Sequence, residues 1–218
     1  AGLTPVAVSG TAGTGSTGAI DPLRELGRIC REQELWFHID GAYGGFAAAV
    51  PDSPPDLRAL CEADSLAMDP HKWLYVPFEC GCLMVKDPLA LERAFSVHPE
   101  YLQDVRVRES EVNFSDSGEQ LTRYSRALKV WFSVQYFGTR SIGAAQDKAM
   151  TLAEHAEKIV RASPELEVLT PAQFGILCFR VRPKGMSDEQ QLDALNERVN
   201  ERVNRSGFVL MSSTRLRG

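Results

Sequence analysis

With 218 residues, 44% of them hydrophobic and 24% charged, the chain has the composition of one large or two small globular domains, not of a disordered segment. A net charge of -5 argues against nucleic acid or an anionic membrane surface as a partner, and no apolar run is long enough to span a bilayer. No basic leader with an apolar stretch behind it is visible, and five scattered cysteines (Cys30, Cys61, Cys80, Cys82 and Cys178) fit reduced thiols and a cytoplasmic location.

In chain order, residues 3–9 read as a short buried strand, and residues 10–18 as a loop of Gly, Thr and Ser. Asp21-Pro22 reads as a helix start, with Asp as N-cap and Pro at the first helical position. Leu23, Leu26, Ile29 and Cys30 follow at helical spacing. Residues 35–39 form a second apolar strand, 56–62 a short helix, 65–68 a third strand and 81–86 a fourth. Cys80-Gly-Cys82 is too tightly spaced for a zinc knuckle and reads as strand packing, so no metal is expected. Strands alternating with helices predict a parallel sheet with covering helices.

Residues 103–118 are polar, charged and weakly periodic, as in a mobile loop. Beyond them the pattern predicts helices over 121–137 and 143–162, split by Gly138 and Gly143. Strands over 166–169 and 175–181, a helix over 188–205 and a strand over 208–212 complete an α+β unit. The division is therefore 1–102, 103–120 and 121–218. The start at Ala1 without a Met, and the stop at Gly218 after an apolar run, read as a chain truncated on both sides.

Polar residues follow the ends of the predicted strands, at Asp40, Asp69 and Lys72, where open α/β sheets bind ligands. Lys72, between His71 and Trp73, reads two ways. It is a partly buried amine with a depressed pKa, suited to a Schiff base, or a lysine whose stem covers Trp73. Asp40, in His38-Ile39-Asp40-Gly41-Ala42, is either a turn cap or a carboxylate placed against a cofactor's ring nitrogen; Ala42 is small enough to lie under a flat ring. The 10–18 loop could bind phosphate through backbone N–H groups, although it lacks the lysine of a P-loop and the spacing of a dinucleotide fingerprint. His155 reads as a solvated surface residue, and His98, just before the polar stretch, reads as a surface residue or as one that touches substrate.

Together, TAGTGSTGAIDPL (11–23), WFHIDGAYGG (36–45), ADSLAMDPHKWL (63–74), RALKVW (126–131) and FGILCFR (174–180) resemble the group II pyridoxal-5′-phosphate (PLP) dependent decarboxylases of aromatic amino acids, histidine and glutamate. The resemblance runs through nearly the whole chain. It implies an α/β PLP type I fold: the end of a mostly parallel large domain over 1–102, a mobile catalytic loop over 103–120 and a small, truncated α+β domain over 121–218.

It also implies decarboxylation of an L-amino acid, aromatic ones among the candidates, to an amine and CO2. The protein would be a homodimer with shared active sites. Lys72 would be the Schiff-base lysine and Asp40 the partner of the ring nitrogen. Ala42 would lie under the ring, His71 and Asp69 near the phosphate, and Thr14 and His38 beside the cofactor. Many members carry Asn at the position of Asp69, and an anion there would repel a phosphate. Some carry a second Thr where this chain has Gly15. The family's other phosphate loop and the residue stacking on the second ring face would lie upstream of Ala1. On the mobile loop several members place a Tyr seventeen residues before the Trp matching Trp131, which here is Phe114. That Tyr is the proton donor to the substrate carbon, and Phe has no proton to give. The alternatives are therefore oxidative deamination to an aldehyde on the same scaffold, or an inactive PLP-binding homologue.

Overall fold

The computed structural model describes residues 2–51, 53–96 and 113–216. Four strands form one sheet in the order β1 (Ala7–Thr11), β2 (Trp36–Asp40), β3 (Ser65–Met68), β4 (Cys82–Val85). β1, β2 and β3 run parallel, and β4 is antiparallel to β3. The parallel part needs a crossover, and α1 (Leu23–Glu32) supplies it between β1 and β2.

Alternation along β2 sets the two faces of the sheet. Phe37 and Ile39 are buried, while Trp36 and Asp40 on the opposite side are exposed. Phe37 and Ile39 meet Leu23 and Cys30 of α1, with Leu57 and Ala59 from the 3₁₀ segment Pro55–Glu62. Each fully buried large side chain in this cluster contributes about 1.5–3 kcal/mol.

The single turn α2 (Pro70–Trp73) precedes β4, and α3 (Leu89–Phe95) follows it. Two longer helices, α4 (Arg126–Phe137) and α5 (Thr139–Ala162), are separated at Gly138 alone, whose φ is +77°. Gly143 is continuous helix, contrary to expectation. One interior glycine costs only about 1 kcal/mol, and the rest of the long helix absorbs it. β5 (Leu166–Gln173) and β6 (Ile176–Val181) form a hairpin. α5 holds it through Glu157, which accepts the Ala172 N–H at 2.6 Å. α6 (Glu189–Arg205) holds its other edge through Asn196, which pairs with both the N–H and the C=O of Val181 at 2.7 and 2.9 Å. Asp188 caps α6 by accepting the Gln191 N–H.

Three further expectations are corrected. The first strand is 7–11, not 3–9, because the partners of β2 begin at Ala7 and Leu3 stays exposed. Asp21 does not cap α1. Its carboxylate accepts the Thr11 N–H at 2.8 Å, and Pro22 occupies the cap position. Residues 208–212 form no strand; Phe208 and Leu210 are exposed, and Met211 is tied to the Asn204 side chain instead. Most of the 103–118 loop, and His98, lie outside the described residues. Among the described residues no helix is long and apolar enough to cross a membrane.

Candidate active site

β1, β2 and β3 all end on the same edge of the sheet, and the chain leaving each strand is laced to its neighbours. Ala12 N–H donates to Asp40 C=O at 2.7 Å, and Gly44 N–H to Ala12 C=O at 3.1 Å. Gly41 N–H donates to Ala67 C=O at 2.8 Å, and Asp69 N–H to Ala42 C=O at 3.2 Å. Residues 12–14, 40–45 and 69–73 are therefore one cluster, where bound ligands of such sheets are found.

Asp40 stands exposed at the end of β2 and accepts the Ala42 N–H at 3.0 Å; among the described residues its carboxylate takes only that bond. Ala42 is half-buried beside it. His38 lies on the same sheet face, two residues earlier. Its Nδ1 is 2.8 Å from the Ser65 hydroxyl, which also accepts the Trp36 indole N–H at 2.8 Å. The arrangement that uses the single Ser65 proton gives it to Nδ1, leaving the His38 proton on Nε2.

Lys72 extends from α2 with its amine 2.9 Å from Asp69 Oδ2, and the side chain is 40% exposed. Trp73 meets Tyr43 and Phe174 edge on. His71 Nδ1 lies 2.7 Å from the Cys80 C=O and 3.0 Å from its N–H, so one tautomer satisfies one of these at a time. Its Nε2 is 3.8 Å from Asp69, which leaves that nitrogen as the one able to meet an anion. The loop holding His71 is anchored in turn by the start of α4: Arg126 pairs with Glu79, drawing that carboxyl below its usual range, and Lys129 donates to the Glu79 C=O at 3.0 Å. Burial pushes the nearby Cys82 thiol up.

Thr14 faces inward on its own loop. Its hydroxyl pairs with that of Thr17 at 2.8 Å and accepts the Ala19 N–H at 3.2 Å. The N–H groups of Thr14 and Gly18 are also bonded within the loop, so they are not free for a phosphate as the sequence implied. The loop closes on itself through an Ala12–Ile20 bridge. Phe114 begins a 3₁₀ turn, Phe114–Ser117, which contacts α3; the ring is exposed and is not brought to the cluster.

Sequence reasoning passed over the residues beneath the cluster. Tyr43, Trp73 and Phe174 meet edge to face, with centroids 5.6, 5.9 and 6.0 Å apart. Burial pushes the Tyr43 phenol up, partly offset by the Trp73 indole and the Gly175 backbone. Gln146 of α5, fully buried, donates to the Trp73 C=O at 2.6 Å and so fixes the end of α2. The aromatic density of 36–46, 73–78 and 174 was the available signal.

The pyridoxal-dependent decarboxylase conserved domain matches residues 1–182. The chain is 36% identical over 217 residues to an aromatic-L-amino-acid decarboxylase of Bacillus atrophaeus, covering 99% of this chain and 45% of that protein. It is 38% identical over 218 residues to tryptophan decarboxylase 2 of Oryza sativa subsp. japonica, covering 100% of this chain and 44% of that protein. Among solved structures, Oryza sativa TDC with PLP and tryptamine matches with a TM-score of 0.90 and 30% identity, over 100% of this chain and 45% of that one. Rhodiola rosea 4-hydroxyphenylacetaldehyde synthase matches with a TM-score of 0.85 and 30% identity, over 99% of this chain and 44% of that one. The chain thus spans less than half the length of these relatives.

Proposed function

The chain belongs to the pyridoxal-dependent decarboxylase family and has its α/β fold, and from that premise we propose that it carries the lysine-bearing half of a PLP-dependent L-amino-acid decarboxylase site. The observation that carries this is the gathering of Lys72, Asp40 and Ala42 at the carboxyl ends of parallel strands. An exposed amine, a carboxylate with spare acceptor capacity and a small side chain fit the aldehyde, ring nitrogen and ring face of PLP. Bound there, the cofactor supplies an electron sink for the pair left when CO2 departs.

In this reading Lys72 is the attachment point, released from Asp69 as the cofactor arrives. Asp40 keeps a proton on the ring nitrogen, and Ala42 leaves room for the ring. His71 turns Nε2 toward the phosphate. Asp69 fits that group poorly, because its charge would oppose the phosphate; its pairing with Lys72 gives it another role. Thr14 and His38 line the edges of the same cluster. The three-part division at 102/103 and 120/121, a cytoplasmic location, a homodimer with shared sites and an aromatic substrate belong to the same proposal. The names of the aromatic, tryptophan and tyrosine decarboxylases among the relatives support the last of these. The full-length protein, given PLP and a panel of L-amino acids, is expected to release CO2 and the matching amine. A holo-protein that turns over none of them would be the inactive homologue.

A second reading has its own support. With Phe114 in place of a loop tyrosine, no phenol protonates the substrate carbon. Dioxygen can then take the electron pair. One amino acid, one O2 and one water would give aldehyde, CO2, ammonia and hydrogen peroxide. The likeness to the Rhodiola aldehyde synthase favours keeping this outcome in view. Phe114→Tyr is expected to raise the amine-to-aldehyde ratio by about tenfold or more, the scale of one positioned proton donor. Product analysis of wild type and variant on the best substrate checks it, and an unchanged ratio removes Phe114 from the mechanism.

A further inference from the structure

The three segments of the cluster share a packing partner from outside the sheet. β5 and β6 are joined by the two-residue loop Phe174-Gly175, closed by the Gln173–Ile176 pair. Phe174 has φ +54°, whereas Gly175 is not in the left-handed region. Hairpin loops of this length with positive φ at the first position favour glycine there. Here the glycine comes second and a bulky ring takes the left-handed position, an arrangement kept only when the surroundings fix it.

Those surroundings are the loops of the candidate site. The Phe174 ring is 4% exposed and sits in a slot left by two glycines. A Cβ on Gly13 would lie 2.7 Å from Phe174 Cε2, and one on Gly44 2.6 Å from Cζ. Gly13 also has φ +94°, so both space and backbone exclude a side chain there. The same ring meets Tyr43 and Trp73 edge on. Gly13 precedes Thr14, Tyr43 follows Ala42, and Trp73 follows Lys72. The hairpin adds a second tie to the first loop, since the Cys178 thiol lies 3.0 Å from the Ser16 C=O.

We propose that Phe174 is a positioning residue: seated between Gly13 and Gly44 and against Tyr43 and Trp73, it sets the spacing of the loops carrying Thr14, Asp40-Ala42 and Lys72, and so couples the β5–β6 hairpin to cofactor retention. The coupling to cofactor rests on the proposed function; the packing role does not. Phe174 touches none of the reacting atoms, and acts through the residues beside it.

The test uses the full-length protein with Phe174→Ala, Phe174→Leu and, as a control, Leu192→Ala. Leu192 is fully buried in α6 and is not one of the residues that line the Phe174 slot. Amide hydrogen exchange over 12–19, 41–46 and 69–75 reads loop placement without any cofactor, and titration of apoprotein with PLP reads retention. Phe174→Ala is expected to speed exchange in all three segments and to weaken PLP binding, each by about tenfold or more. Phe174→Leu, which keeps bulk but not the flat ring, should show about threefold changes in the same places, and Leu192→Ala should stay within about twofold there despite a lower Tm. The proposal is overturned if Phe174→Ala leaves the three segments within about twofold of wild type, or if Leu192→Ala reproduces its losses. Should Phe174→Ala not fold, Phe174→Leu decides: a rise confined to the three segments supports the role, and an even rise across the hairpin and α6 refutes it. Fast exchange in the variants beside a wild type without PLP affinity would sink the cofactor reading and leave the positioning role standing.

Discussion

Lys72→Ala is expected to remove the visible absorption band of the bound cofactor and to cut turnover at least about 10³-fold, the scale on which a covalent anchor acting with its partners is lost. The sequence has six lysines, and the other five are badly placed for the role. Lys86 follows antiparallel β4, and its N–H bonds Asp64 just before β3, at the opposite end of the sheet. Lys129 is committed to the carbonyls of Phe78 and Glu79. Lys148 and Lys158 lie on α5, and Lys184 follows β6. The fold should tolerate the change. Lys72 is partly exposed, and its pair with Asp69 is worth about 1 kcal/mol or less at such a site. Absorbance, turnover and a thermal melt on one preparation separate loss of the anchor from loss of the fold. A variant that keeps the band defeats the assignment.

Asp40→Asn is the second large effect. The side chain is exposed at the strand end and accepts one backbone N–H, a bond that an amide oxygen can also accept. Stability should therefore move by no more than about 0.5 kcal/mol. Activity should not be spared. Against a ring nitrogen, the carboxylate favours the protonated ring and the amide does not. Taking one partner from a desolvated charge pair costs about 3–5 kcal/mol, or about 10²–10⁴-fold in rate. Steady-state kinetics and a melt check both halves. Turnover close to wild type would contradict the role given to Asp40.

The elements that could be read from the sequence were those with clear punctuation. Residues 65–68 are apolar between Asp64 and Asp69, and the strand occupies that span. The 35–39 run was offset by one residue, and the pattern of β2 put Asp40 on the open face as its alternation requires. What failed depended on partners distant in sequence. Leu3 and Leu210 are as apolar as strand residues, yet no described strand pairs with them. Asp21 looks like a cap, but the Thr11 N–H was the donor within reach.

At the site, Lys72 and Asp40 could be singled out because unusual residue types follow buried strands. The Lys72–Asp69 pair could not, since a four-residue window does not say which way a one-turn helix points its amine. Phe174 was legible only as part of a strand motif. Its role lies in the space left by Gly13 and Gly44, which only the folded chain brings to it.

The most direct measurement is borohydride reduction of the full-length protein loaded with PLP, followed by proteolysis and mass mapping of the fixed pyridoxyl group. One label is expected, on the peptide containing Lys72 and on that residue. A label on Lys86, Lys129 or any other lysine, or no covalent label on a protein that still turns over amino acids, would contradict it.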